Sequence, residues 1–158
     1  MGGTFDMTTN AGVFALRTPA DLLAKLGHDY ERLTANPADS YAAFDFFVTA
    51  LHMKDWLAAS GQTVTPRPGY ELELWKVCSH LGNGSKHFEV SPERHHSIKG
   101  TEHAGGAFDP HVFQPDAFQV GRLIVHLEEE AATKLGESVD AVTLARKVLD
   151  YWERKFAG

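Results

Sequence analysis

The sequence predicts a mainly α fold: an antiparallel four-helix bundle with a small β-containing insertion before the last helix. Three observations carry that expectation. Four stretches repeat apolar residues at helical spacing. Helix-capping and helix-stopping residues bracket them. One further stretch alternates like a strand. At 158 residues the chain has the length of one domain. Within it, 1–16 read as a loose tail, 17–88 as three helices, 89–127 as a loop with the β insertion, and 137–157 as the C-terminal helix.

The first helix is TPADLLAKLGHDYERL. Thr18 can cap it, Pro19 suits the first helical position, and Asp21 favours the positive end of the dipole. Leu22, Leu23, Leu26, Tyr30 and Leu33 recur on one face, and Asn36-Pro37 ends the run. The second helix, DSYAAFDFFVTALHMKDWLAAS, is capped by Asp39 or Ser40 and stopped at Ser60-Gly61. It is apolar nearly all round, which predicts a central helix with neighbours on several sides. The third runs from about Tyr70 to His87. Gly82 and Gly84 each cost about 1 kcal/mol in a helix interior relative to alanine, so close approach or termination must offset them.

Residues 89–127 lose the helical period. In GRLIVHL, Leu123, Val125 and Leu127 alternate with Arg122, Ile124 and His126, which predicts a strand. Gly121 marks a bend or bulge. Ser97 to Thr101 is the expected partner strand, since a lone strand would leave its backbone unpaired. The last helix, within ESVDAVTLARKVLDYWERKFA, is expected to start from a Ser138 cap and to bury Ala141, Ala145, Val148, Leu149, Trp152 and Phe156.

Composition narrows the function classes. With 43% hydrophobic and 23% charged residues the chain is globular. A formal charge of −6 disfavours a broad, unspecific nucleic-acid surface. The single cysteine, Cys78, excludes an internal disulfide and fits a reducing compartment. MGGTFDMTTN lacks the basic and apolar regions of a secretory signal, and Asp6 departs from a myristoylation motif. No apolar run spans a bilayer. These features predict a cytoplasmic protein without a membrane partner.

Two polar stripes are the candidate sites. On the third helix, Lys76, His80, Asn83 and His87 share a face; histidine can act as acid or base near neutral pH, and Lys76 or Lys86 could hold phosphate. On the second, Asp45, Thr49 and His52 line a narrow stripe of an otherwise buried helix, where polar groups must find partners. Antiparallel packing could bring the stripes face to face, with Asn83 and His87 turned toward the second helix and an aspartate fixing a histidine tautomer. Solvated helix faces and a core hydrogen-bond network are the competing readings. The chain also has nine histidines, and His80, His87, His95, His96, His103 and His111 crowd one region. No pair has a diagnostic ligand spacing, so neither metal nor cofactor is expected. Gly-Asn-Gly at 82–84 ends a helix rather than opening one, so it lacks the helix N-terminus of a phosphate loop.

AAFDFFVTALHMKDWL, VCSHLGNGSKHF and ARKVLDYWERKF resemble a group of small bacterial proteins of unassigned function. Asn83 and His87 also resemble the hallmark of HEPN domains, R-x(4–6)-H with a polar residue after the Arg. These are small helical bundles, often dimeric. Many are metal-independent endoribonucleases of stress, phage-defence and CRISPR-linked systems. The resemblance implies His87 as general acid or base, Asn83 as orienting group, Lys86 at the phosphate, His80 as a further catalytic candidate, and RNA or nucleotide as ligand. It also implies a homodimer or a cognate protein partner. The chain departs from it where it matters most: Gly82 stands at the Arg position, and lysine lacks the planar fork that would replace it. Three functions follow. The first is an RNA-cleaving or RNA-binding HEPN-like protein. The second is a non-catalytic assembly module, with Phe108, Phe113 and Phe118 as contacts in an interaction loop. The third is a metal-dependent enzyme that uses the histidines with Asp45 or Asp109.

Overall fold

The computed structural model describes residues 12–87, 97–104 and 121–158. Within them the elements run α1 (Pro19–Ala35), α2 (Ser40–Ala59), α3 (Tyr70–His87), β1 (Ile98–Ala104), β2 (Arg122–Leu127), α4 (Glu129–Leu135), β3 (Ser138–Asp140) and α5 (Ala141–Ala157). The fold is mainly helical with a small antiparallel sheet in the order β1-β2-β3. Most of the expected tail, residues 88–96 after α3, and residues 105–120 between β1 and β2 lie outside the described residues. With them go His95, His96, Asp109 and His111, and the three phenylalanines expected as contacts.

The caps form where their chemistry predicts. Thr18 Oγ1 accepts the Asp21 amide at 3.2 Å, and Asp21 Oδ2 accepts the amides of Thr18 and Arg17, both at 2.9 Å. Asp39, rather than Ser40, caps α2: its Oδ1 accepts the amides of Tyr41 at 2.9 Å and Ala42 at 3.2 Å. α2 is indeed central and touches α1, α3 and α5. Its Phe46, Ala50 and Met53 meet Leu26 and Leu33 of α1, Leu74 and Val77 of α3, and Leu144 and Val148 of α5 in one core.

The end of the chain departs from expectation. Ser138 does not cap the last helix. Val139 is drawn into the core as the cross-strand partner of Val125, so the backbone stays extended through β3. Asp140 becomes the cap: Oδ1 accepts the Thr143 amide at 3.0 Å and Oδ2 the Thr143 hydroxyl at 2.7 Å. Helix α4 was also not expected. At seven residues it is too short to display a period. It packs on α3 and gives way to β3 at Gly136, whose φ of 98° suits a residue without Cβ. The irregularity in the sheet lies between Ile98 and Gly100, not at Gly121.

Gly82 is buried where α3 meets α2. A Cβ there would stand 2.8 Å from Leu51 Cβ and 3.0 Å from the Phe47 carbonyl oxygen. Close approach therefore offsets the helix-propensity cost of this glycine. Gly27 of α1 is the contrast, since a Cβ there meets nothing within 4 Å. In urea denaturation Gly82→Ala should destabilise the fold, overpacking costing about 1–3 kcal/mol. Gly27→Ala should stabilise it by about 0.5–1 kcal/mol. A Gly82→Ala variant as stable as the parent would sink the close-packing account.

Candidate functional site

Successive positions on an α-helix are about 100° apart. Once Gly82 faces α2, Lys76, His80 and position 87 fall on the far side of α3. The same geometry on α2, with Phe47 and Leu51 toward α3, sends Asp45, Thr49 and His52 away from it. The two predicted stripes therefore do not meet. Asn83 is not turned onto α2 either; Gly82 holds that contact.

The α2 stripe is split. Thr49 and Asp45 face α1. Lys25 Nζ donates to Asp29 Oδ2 at 2.5 Å and to Thr49 Oγ1 at 2.9 Å, and the Thr49 hydroxyl donates to Asp29 Oδ2 at 2.9 Å. Arg32 Nη1 donates to Asp45 Oδ2 at 2.8 Å and lies 3.7 Å from Asp29 Oδ1. Asp29 is 1% exposed, so it must be paired. His52 stays at the surface, its Nδ1 3.6 Å from Asp55 Oδ2. The sequence reading missed Asp29, although it shares the apolar face of Leu22, Leu26 and Leu33 and lies four residues after Lys25. A carboxylate in an apolar stripe, one turn from a lysine, was the available signal.

The α3 stripe is turned toward α4 and the start of β1. Lys76 Nζ donates at 2.8 Å to Glu73 Oε1, and Glu73 is 4% exposed. That lysine is therefore engaged within its own helix. His80 Nδ1 faces the Oγ of buried Ser97 at 3.5 Å, and Asn83 Nδ2 donates to Ser79 Oγ at 3.1 Å. The side chains of Lys86 and His87 lie outside the described residues. The helix itself continues through His87, so position 87 stays one turn beyond Asn83. Among the described residues no three His, Cys, Asp or Glu side chains group as metal ligands. No described helix is long and apolar enough to cross a membrane.

Cys78 points into the interior between α2, α3 and α5, where burial pushes its thiol up to about 12 against a weak opposing pull from Lys54. That thiol is neither a nucleophile nor a soft ligand at neutral pH. Comparison with protein-family models, curated proteins and solved structures finds no match.

Two measurements follow. Asp29→Ala should cost about 2 kcal/mol in chemical denaturation, because it strands Lys25 and Thr49 at a buried contact. A loss below a few tenths would mean the seam carries no stability. Cys78 has its folded-state pKa raised, so its contribution is complete below the unfolded value near 9 and is lost as pH climbs from there toward 12. Between pH 8 and 10 the parent should lose about 1 kcal/mol more stability than Cys78→Val. Parallel pH profiles for the two proteins would contradict the buried thiol.

Proposed function

We propose that the chain is a non-catalytic assembly or interaction module built on a HEPN-like bundle of its four long helices. The observation that carries this reading is Gly82. The position that would hold the phosphate-binding arginine is a helix-packing position, 3.0 Å from the Phe47 carbonyl oxygen for an added Cβ. Two further features support it. Lys76, His80 and Asn83 each have a hydrogen-bonding neighbour within the chain. Tyr41 and Phe44, 83% and 47% exposed, offer the aromatic surface that protein contacts favour, on a chain of net charge −6 that RNA phosphates would repel.

The ribonuclease reading keeps one specific support: α3 stays helical through His87, so Asn83 and position 87 share a face at i, i+4. One experiment separates the two. The parent, His87→Ala and Gly82→Arg are each incubated with total cellular RNA, with and without EDTA, and tested for RNA binding by gel shift. The module reading expects intact RNA and no shift throughout, and a lowered melting temperature for Gly82→Arg in place of activity. Cleavage that survives EDTA and disappears in His87→Ala would overturn it in favour of a HEPN-type nuclease. Cleavage abolished by EDTA would overturn it in favour of metal chemistry by the histidines.

A further inference from the structure

Helix α2 carries apolar residues on every side. Among the described residues α1, α3 and α5 pack on it, and its remaining side is open to water. That side has the spacing of a paired helix. Tyr41, Phe44, Val48 and Leu51 follow at intervals of three, four and three residues, the a and d positions of a heptad. Tyr41 and Phe44 are exposed, and Val48 and Leu51 are half-buried. A helix apolar all round is ordinarily covered all round, and two large aromatic side chains on its open side mark a surface that another chain covers.

The polar residues beside the seam select what covers it. Asp45 and His52 stand at successive e positions, three residues before Val48 and four after it. Phe44 and Leu51 flank Val48 on the other edge, four before and three after. A two-fold axis at Val48 therefore brings unlike residues together when a second α2 lies antiparallel on the first, each contact made twice. Asp45 of one copy meets His52 of the other, and an imidazole N–H can donate to the carboxylate. Phe44 meets Leu51, and Val48 meets itself on the axis. Tyr41 and Asp55, each seven residues from Val48, set a phenol donor against a carboxylate. The face is also balanced in charge within each copy. Arg32 Nη1 donates to Asp45 Oδ2 at 2.8 Å, and His52 Nδ1 lies 3.6 Å from Asp55 Oδ2. The net charge of −6 is thus not concentrated where the copies would touch. We propose that the partner in the module reading, on which this inference rests, is a second copy of the chain docked antiparallel along the open side of α2. From Tyr41 to Asp55 the seam is about 21 Å long. One seam of that length is smaller than the standard interface of roughly 800 Å² per partner, so the dimer is weak and exchanges with monomer in the micromolar range.

Sedimentation equilibrium of the full chain, from micromolar to near-millimolar concentration, tests this. A reversible monomer–dimer equilibrium is expected. Val48→Glu sets two carboxylates on the axis and should weaken it about a hundredfold. Under oxidation Val48→Cys should give a covalent dimer. Lys54→Cys should not, since Lys54 is exposed on the same helix but lies beside the cavity facing α3 and α5. A chain that stays monomeric throughout would overturn the second copy while leaving the module reading to a different partner. Cleavage of RNA, read separately, would overturn the module reading and this inference with it. A dimer that Val48→Glu does not weaken, or equal cross-linking by both cysteine variants, would put the contact elsewhere and overturn the proposal. The concentration series of the parent and the two cysteine variants decide even if Val48→Glu fails to fold.

Discussion

The distance between α2 and α3 is set by the side chain that Gly82 lacks. α2 is the hub of the core, and α3 can lie against it only because the Phe47 carbonyl and Leu51 occupy the space a Cβ would need. Everything else on α3 is then oriented by helical geometry. Trp75, Cys78 and Ser79 fall on the same side as Gly82 and line a small cavity shared with α2 and α5. Glu73, Lys76 and His80 fall on the opposite side, His80 beside Ser97. One missing methyl group therefore decides which residues can act together and which cannot.

α1 is held to α2 by a different device. Lys25, Asp29 and Thr49 close a triangle of hydrogen bonds at the edge of the core, and Arg32 links Asp29 to Asp45. Two cations face two carboxylates, so the seam is neutral in charge, and the two oxygens of Asp29 both have cationic neighbours. A paired buried charge of this kind is a poor source of stability compared with apolar packing. It does penalise misalignment, because sliding α1 by one turn would leave Asp29 buried and unpaired. On that argument the seam fixes register while Phe46, Leu26 and Leu33 supply the cohesion.

Local chemistry was legible in the residues, and long-range pairing was not. Thr18, Pro19 and Asp39 announce their helix starts because capping is decided within four residues. Arg122 to Leu127 announces a strand because alternation is local too. Ser138 misleads for the opposite reason: it looks like a cap, but Val139 is claimed by Val125 across the sheet, and that contact cannot be read from neighbours in sequence. α4 is invisible because seven residues hold no period. The two polar stripes rest on periodicity, which says which residues share a face and nothing about what the face meets. Gly82 held that information, since a small residue inside a helix marks the side of closest approach, and the same reasoning would have turned both stripes away from the shared contact. Asp29 was readable in the same way, as a carboxylate inside an apolar face.

The consequence for function lies in where polar capacity is left over. In the seam between α1 and α2, each buried oxygen and hydroxyl finds a partner within the fold. Along α3, Glu73 is met by Lys76, His80 meets Ser97, and Asn83 meets Ser79. A catalytic face needs groups that are poised for substrate, and pairing of this kind consumes such groups in holding the structure together. Trp75 and Tyr151, whose rings meet edge to face, keep their indole nitrogen and hydroxyl sealed inside the core. On the proposed reading, the helix that looks most like an active site in sequence is, in its described part, mainly architectural.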